Sequence, residues 1–274
     1  MSGTLYLVAT PIGNLSDFSP RAIETLSTVD FIAAEDKRVS LKLLNHFEIK
    51  KPMVSYHQHN RASAGEEIVQ RLLGGESCAL VTDAGTPAIS DPGEDLVKLC
   101  AEKGVAVISI PGCCAAVNAL AVSGLPTGRF TFEGFLASGK SERREQLKEL
   151  CGEERTMIFH EAPHRLRATL ADMAEVLGDR PIALCREITK LHEETLRMTL
   201  HSAVEYYETT EPRGEYVLVV GGREKARTEM TLEEGVALVL QRREAGAKLK
   251  DAVRSVADDT GLPRNALYEA ALKQ

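Results

Sequence analysis

The chain has 274 residues, a formal net charge of −7 and an ordinary hydrophobic content, which predicts a soluble globular protein with two domains and a small appendage. No apolar run is long enough to span a bilayer, and the first residues lack the basic and apolar segments of a secretory signal, so neither a membrane protein nor a secreted one is expected. The negative net charge argues against a predominantly basic protein surface. Nucleic-acid binding stays possible because it depends on local basic patches.

Strand-like and helix-like segments alternate over the first predicted domain, residues 1–123. The predicted strands are apolar runs at 5–9, 31–34, 78–81 and 105–110. The predicted helices cover about 20–28, 63–73, 91–102 and a run of small residues that ends at 123. Ser19 followed by Pro20 predicts the first helix start, with a cap and then proline at the first helical position. This alternation indicates a largely parallel sheet.

A stretch rich in Gly and Pro at 124–128 marks a boundary to a second predicted α/β domain, residues 124–222. Its predicted strands lie at 130–135, 157–159, 181–185 and 216–220, and its predicted helices at 141–150 and 164–177. A polar segment at 223–229 is typical of a linker.

Three short helical patterns form a small predicted domain, residues 228–274, in which the glycine-containing turn before the last helix is compatible with a helix-turn-helix. Residues 223–274 hold ten Lys and Arg against nine Asp and Glu, so this tail is not a strongly basic arm. It can still present several cations together, namely Arg242, Arg243, Lys248 and Lys250. We expect it to contact RNA or the ribosome, with packing or dimer support as the structural alternative.

Six cysteines are present, and none forms a C-x-x-C pair. The adjacent Cys113 and Cys114 are poorly placed for an ordinary disulfide. We therefore expect free thiols in a reducing cytoplasm.

Three loops rich in Gly and Pro follow predicted strands, at 10–14, 83–93 and 111–115. One such loop alone is usually a tight turn. Three of them at the carboxyl ends of parallel strands predict a shared ligand pocket at one sheet edge. The sequence contains neither G-x-x-x-x-G-K-[ST] nor a helix-opening G-x-G-x-x-G, which excludes the common phosphate loop and the standard dinucleotide fingerprint.

Several segments carry a specific resemblance to a known family. They are LYLVATPIGN at 5–14, AEDKR at 34–38, the 83–93 loop, SGLP at 123–126, FHEAPHR at 159–165 and REITKLHEE at 186–194. Together they resemble the ribosomal RNA small subunit methyltransferase I family of the tetrapyrrole methylase superfamily. Lys37 stands where that family usually has Thr, and Cys113 and Cys114 stand where small polar residues are common.

The resemblance implies an α/β protein: two α/β domains of the tetrapyrrole methylase type with a cofactor cleft between them, and a small C-terminal helix-turn-helix-like domain. The implied activity is S-adenosylmethionine-dependent 2′-O-methylation of a cytidine ribose in the decoding region of 16S rRNA. The implied partners are 16S rRNA or the 30S subunit and a second copy of the chain in a homodimer, with no membrane and no DNA.

By motif position, the resemblance also implies which residues line the cofactor cleft. From the first domain these are Ile12, Asp83, Ala84, Gly85, Thr86, Ile89, Cys114 and Ala115, and from the second Phe159, His160, Gly214, Glu215 and Tyr216.

A neutral ribose hydroxyl is a weak nucleophile, so a general base or a cation near the developing alkoxide would help. We predict Glu187 or Glu161 as proton acceptor and Lys190 as the group that stabilises charge. Each of these can instead be an ion-pair partner or a loop anchor.

Candidate RNA contacts are Arg38, His57, Arg143, Arg144 and Arg165. For the 140–148 cluster the alternative is a solvated helix face, because acidic residues dilute it. His57 and His59 lack a third ligand at clear spacing, so no metal site is predicted.

Two other functions stay open. One is a methyltransferase of a tetrapyrrole or another small molecule on the same scaffold, and the other is a ligand-sensing helix-turn-helix regulator. The 159–165 and 186–190 segments and the tail helices favour RNA over a small molecule. The near-zero charge of the tail argues against strong DNA binding.

Overall fold

The computed structural model describes residues 2–224 and 230–273. The chain divides into two compact units, Met1–Arg223 and Glu224–Gln274. Most of the predicted linker at 223–229, and the predicted start of the tail domain at 228, fall on residues 225–229, which lie outside the described residues. No helix in the described part is long and apolar enough to cross a membrane.

The first half of the large unit is a five-stranded, fully parallel sheet with strand order β3-β2-β4-β1-β5. Its strands are β1 (Thr4–Val8), β2 (Phe31–Ala34), β3 (Met53–Ser55), β4 (Cys78–Val81) and β5 (Ala106–Ile110). Its helices are α1 (Pro20–Thr28), α2 (Lys37–His46), α3 (Arg61–Leu73), α4 (Gly93–Glu102) and α5 (Ala115–Ser123), with a short 3-10 turn at Leu15–Asp17. Every residue of β2 and β4 is buried, as expected for inner strands covered on both faces.

The predicted start of α1 is confirmed. Ser19 Oγ accepts a hydrogen bond from Ala22 N at 3.1 Å, and Pro20 occupies the first helical position, where its missing N–H costs nothing. The parallel sheet is confirmed as well. Helix α2 and the three-residue strand β3 were not predicted.

The second half holds a mixed sheet with strand order β6-β7-β10-β8-β9. Only β6 and β7 run parallel, and the other neighbours are antiparallel. The strands are β6 (Phe130–Phe135), β7 (Thr156–Glu161), β8 (Pro181–Arg186), β9 (Glu194–Thr199) and β10 (Tyr216–Val220), and the helices are α6 (Lys140–Glu149), α7 (Pro163–Leu177) and α8 (Leu200–Thr209). Strand β9 and helix α8 were not predicted.

Helix α5 joins the two halves. It directly follows the first sheet along the chain, but its buried residues Ala116, Ala119 and Leu120 pack on the second sheet, in one apolar cluster with Ile158 and Val217. The proposed boundary at 123/124 therefore separates two sheets that belong to one compact unit.

Residues 230–273 of the small unit form three helices: α9 (Leu232–Glu244), α10 (Leu249–Thr260) and α11 (Arg264–Leu272). Thr231 and Glu234 form a reciprocal capping box at the start of α9, and Gly261 ends α10 with φ +74°, a conformation that favours glycine. Buried Val236, Val256 and Leu267 hold the helices together. The three predicted helices are confirmed.

Candidate active site

The three predicted loops meet at one edge of the first sheet. Thr10 and Gly85 exchange two backbone hydrogen bonds, of 2.9 Å and 3.1 Å. Thr86 Oγ1 donates to the carbonyl oxygen of Cys113 at 2.9 Å, which ties the second loop to the third. The loops therefore form one hydrogen-bonded wall.

The middle loop is held in an uncommon backbone conformation. Ala88 and Ser90 have φ of 67° and 65°, in the left-handed region that disfavours side chains. Asp91 Oδ1 stabilises this turn by accepting hydrogen bonds from Ala88 N at 3.0 Å and Gly93 N at 2.7 Å. Burial raises the pKa of Asp91. Backbone strain of this kind concentrates at functional sites, where surrounding contacts fix the shape of a loop.

A cavity of about 400 Å³ lies between this wall and the second sheet, within the size range of ligand pockets. Eight of its lining residues were predicted: Ile12, Ala84, Ala115, His160, Glu161, Lys190, Glu215 and Tyr216. Six were missed: Phe135, Ala162, Pro163, Cys185, Ile188 and Val217. Phe135 and Cys185 end predicted strands, so their position at a strand terminus was the signal that could have identified them.

Several predicted cofactor residues do not line the cavity. Gly85 lies next to a lining residue, since a Cβ on Gly85 would lie 3.5 Å from Ile12 Cγ2. Asp83 Oδ1 accepts a hydrogen bond from Asp36 N at 3.1 Å, and burial, with the nearby Glu35 carboxylate, raises the pKa of Asp83. Thr86, Ile89, Cys114 and Gly214 are likewise outside the set of lining residues.

Phe159 needs a correction, because its side chain lies in the core of the second half and is 1% exposed. Alternate strand residues face opposite sides of a sheet, so His160 faces the cavity and Phe159 does not. His160 Nε2 is buried and has no hydrogen-bond partner in the described part of the chain. Burial lowers the pKa of His160, with the Glu215 carboxylate opposing that effect. The cavity is therefore lined by an imidazole that is neutral at pH 7, whose Nε2 is buried and unpaired within the described residues.

Lys190 sits between two carboxylates at the cavity wall. Its Nζ donates hydrogen bonds to Glu187 Oε1 at 2.9 Å and to Glu215 Oε2 at 2.7 Å. Glu215 N also donates to Glu187 Oε1, at 3.0 Å. Burial alone would lower the pKa of Lys190, but its two acidic partners raise it. Lys190 is thus an ammonium ion at neutral pH.

Glu187 occupies a strained turn with φ of 52°. Gly214 allows this turn to approach, since a Cβ on Gly214 would lie 2.5 Å from Glu187 Cγ. Although burial raises the pKa of Glu187, the hydrogen bonds from Lys190 and Glu215 N bring it below its ordinary value. Glu187 is therefore an ionised, hydrogen-bonded carboxylate and a weak base.

Glu161 lines the cavity but is only 3% exposed, and both of its oxygens have partners. Oε1 accepts from Ala162 N at 2.8 Å and lies 3.4 Å from Arg165 Nε, while Oε2 accepts from Thr169 Oγ1. These contacts anchor the start of α7. They favour the alternative of a structural anchor over the predicted role of proton acceptor.

Two candidate RNA contacts also need correction. Arg143 is 4% exposed, and its guanidinium binds the Asp172 carboxylate at 2.6 Å. Arg165 donates to the carbonyl oxygens of Leu136 and Ala137, so it too is engaged inside the protein. The Arg143 guanidinium is therefore not free for a phosphate, while Arg165 is held through one terminal nitrogen and its buried Nε has no hydrogen-bond partner among the described residues.

The remaining candidates are more accessible. The Arg38 side chain is 89% exposed and paired with Asp36, and Arg144 pairs with Glu175. His57 is half-buried, and its Nδ1 makes no hydrogen bond to any described residue. Within the described ranges, no group of three or more His, Cys, Asp or Glu side chains could hold a metal ion.

Comparison with known proteins gives the family. The model for Tetrapyrrole (Corrin/Porphyrin) Methylases matches residues 4–204, and the model for the RsmI C-terminal HTH domain matches residues 232–274. Ribosomal RNA small subunit methyltransferase I of Synechocystis sp. is 49% identical over 99% of this chain and 98% of its own length. The chain belongs to the ribosomal RNA small subunit methyltransferase I family. The protein of that name from Bacillus subtilis is 44% identical over 98% of this chain and 94% of its own.

Solved structures agree on the fold. Uroporphyrin III C-methyl transferase from Thermus thermophilus superposes with a TM-score of 0.57 at 16% identity, covering 80% of this chain and 97% of its own. Diphthine synthase superposes with a TM-score of 0.60 at 13% identity, covering 80% of this chain and 90% of its own. The predicted family and fold class are confirmed.

Proposed function

We propose that this member of the family is an S-adenosylmethionine-dependent enzyme that methylates the 2′-hydroxyl of a cytidine in the decoding region of 16S rRNA. The observation that carries the proposal is the Lys190 ammonium, held between Glu187 and Glu215 at the wall of the cavity of about 400 Å³ between the loops and the second sheet. A fixed cation at this place suits a reaction in which negative charge develops on a ribose oxygen.

The cavity suits the cofactor chemically. Ile12, Ala84, Ala115 and Val217 give apolar walls for an aromatic base, and the His160 ring lines the same cavity. Glu187 and Glu215 are two carboxylates and Lys190 is one ammonium, so the three side chains together carry one net negative charge. This charge complements a sulfonium cation. A structure with the same fold, uroporphyrin-III C-methyl transferase from Thermus thermophilus, is complexed with S-adenyl homocysteine. When bound, S-adenosylmethionine supplies an electrophilic methyl group.

The residues of this chain have separate tasks in the proposed reaction. The loops at 10–14 and 83–93 would hold the donor, and positioning supplies much of the rate of an in-line displacement. Lys190 would stabilise the developing alkoxide, which is typically worth about 10²–10³ in rate for one well-placed donor. Glu187 would accept the proton late, because its lowered pKa makes it a weak base.

Labelled S-adenosylmethionine tests the proposal. The protein is incubated with 30S subunits, with naked 16S rRNA and with a porphyrin precursor, and the labelled product is identified. We expect label on the 2′-oxygen of a cytidine in rRNA. Label in the porphyrin would overturn the choice of acceptor. An absence of transfer combined with salt-sensitive duplex binding would point to the regulator instead. Light scattering after size exclusion tests the homodimer that the family resemblance implies.

Single-turnover rates with Lys190→Met and Lys190→Arg test the role of the ammonium. We expect a loss of about 10²–10³ for the methionine variant and a smaller loss for arginine, which keeps the charge. A methionine variant as fast as the wild type would exclude Lys190 from the chemistry.

A further inference from the structure

A second cavity of about 250 Å³ is lined by Arg186, Glu187, His192, Arg213 and Gly214. Glu187 connects it to the large cavity, because Glu187 accepts a hydrogen bond from Lys190 and Lys190 lines the large cavity. The two cavities therefore meet at the same charged cluster. None of the basic residues of the smaller cavity was assigned a role from the sequence.

The basic side chains reach this cavity from separate segments. Arg186 ends β8, His192 lies in the loop after β8, and Arg213 lies in the loop before β10. They converge from two places along the chain, the 186–194 segment and the loop before β10, unlike a run of charge on one solvated helix face. Such convergence is what a binding site for a multivalent anion requires.

The two guanidinium groups have unused hydrogen-bonding capacity. Arg186 Nε lies 3.3 Å from Glu194 Oε2 as an ion pair, yet this buried nitrogen makes no hydrogen bond to any described residue. The Arg213 side chain is 78% exposed and 3.8 Å from Glu211, a separation that supports only a weak, screened interaction. A guanidinium carries five donors in a planar fork that matches a phosphate.

Glu187 presents its Oε1 to Lys190 Nζ and Glu215 N rather than to the two arginines. Arg186 and Arg213 bring two guanidinium groups to the cavity, each with a carboxylate nearby at 3.3 Å or 3.8 Å, and the histidine can add a donor. The chemistry fits a phosphodiester better than it fits an apolar or cationic ligand.

We propose that this smaller cavity binds a backbone phosphate of the RNA substrate beside the nucleotide that is methylated. The inference rests on the proposed function and deepens it. Phosphate contacts position a strand without reading its sequence. A phosphate held here would place the adjoining ribose close to Lys190, since Glu187 borders the cavity and contacts that ammonium. Arg186 and Arg213 would thus contact the substrate phosphate and contribute to RNA affinity.

The test uses the full-length variants Arg186→Gln and Arg213→Gln and their combination. Arg21→Gln is the matched control, because Arg21 is an exposed arginine on α1 and lines neither cavity. Binding of naked 16S rRNA is measured without cofactor over a range of salt concentrations. We expect each cavity variant to weaken binding about tenfold. We also expect the slope of log affinity against log salt to become shallower by about 0.7–1 for each lost contact.

Kinetics supply a second readout on protein whose fold is checked by circular dichroism. We expect KM for RNA to rise in the cavity variants while kcat at saturating RNA and the affinity for S-adenosylmethionine stay within about twofold. Wild-type RNA affinity and salt slope in the double variant would overturn the site. So would an equal loss in Arg21→Gln, or a loss of cofactor affinity alone.

The same data separate this inference from the proposed function. A wild-type protein that methylates no RNA, but whose RNA binding still depends on Arg186 and Arg213, would overturn the activity and keep the phosphate site. A wild-type protein that methylates rRNA, with variants that bind RNA normally, would overturn only the phosphate site.

Discussion

Gly13 and Lys190 lie so close together that a Cβ atom on Gly13 would come within 2.4 Å of Lys190 Cγ. Gly13 belongs to the loop after β1, and Lys190 to the loop after β8, so the two halves of the large unit touch here without room for a side chain. This contact holds the stem of the lysine whose ammonium is central to the proposed reaction. A backbone position in one half therefore controls a side chain supplied by the other.

The first prediction concerns Gly13→Ala. The added methyl group must displace Lys190, and a misplacement of about 1 Å at a catalytic group can cost about 10²-fold in rate. We expect a loss of that order in single-turnover methylation and a destabilisation of about 1–3 kcal/mol from overpacking. Gly128→Ala is the control, since a Cβ there meets no atom within 4 Å. Equal rates for the two variants would contradict the prediction.

The second prediction concerns acid stability. Glu187 has a pKa below its ordinary value of 4.5, so its stabilising contribution is present above pH 4.5 and is lost as the pH falls through the folded-state pKa. In the Glu187→Gln variant, the free energy of unfolding should fall less steeply as the pH is lowered. Urea unfolding between about pH 3 and pH 6 measures this dependence. If the free energy of unfolding depends on acid pH in the same way in the variant and the wild type, the hydrogen bonds to Glu187 do not stabilise its charged form.

The third prediction separates structure from chemistry at Glu161. Removing one partner of a buried, paired charge typically costs about 3–5 kcal/mol. We expect Glu161→Ala to lower the melting temperature strongly, and we expect the fraction that stays folded at low temperature to methylate RNA within a few-fold of the wild-type rate. A normal melting temperature with a 10²-fold slower rate would restore Glu161 as the proton acceptor.

Strong local signals made much of the fold predictable. Strands β2 and β4 are continuous apolar runs, and α1 begins at the adjacent pair Ser19 and Pro20. Each of these signals depends on neighbouring residues, so the sequence shows them directly. Strand β9, ETLRMT, was missed because it is polar and only half-buried beside β8 at the sheet edge. Helix α2 was missed because it begins within the charged AEDKR segment, where Asp36 caps it.

The site was only partly predictable, for a different reason. Gly and Pro marked the loops, but the direction of each side chain depends on strand pairing, which is why His160 reaches the cavity and Phe159 does not. Arg143 looked like a surface cation because its partner, Asp172, is 29 residues away. Long-range ion pairs of this kind leave no local pattern in the sequence.

The fourth prediction follows from that buried pair. Arg143→Met removes the close cation of the buried Asp172 carboxylate and leaves it Arg144 Nε at 3.9 Å, so we expect a loss of up to about 3–5 kcal/mol in stability with no change in RNA affinity of the folded protein. Arg143→Met combined with Asp172→Leu should recover part of that loss, because both charges are then gone. Arg38→Met at an exposed pair should change stability by less than about 1 kcal/mol. Weaker RNA binding by a fully folded Arg143→Met protein would restore Arg143 as an RNA contact.

The fifth prediction concerns the His160 imidazole at the cavity wall. Burial lowers its pKa below the ordinary value of 6.5, and the Glu215 carboxylate opposes that shift only in part. Between pH 6.5 and the folded-state pKa, the unfolded chain binds more protons than the native one, so stability should fall as the pH falls through that window.

Nuclear magnetic resonance should show the His160 ring titrating below pH 6.5, with the signal assigned by its loss in His160→Gln. The same variant should lose this part of the pH dependence of stability. Titration at or above 6.5 would mean that the ring is solvated or stabilised in its protonated form, and the description of His160 as a buried, neutral ring at the cavity wall would then be wrong.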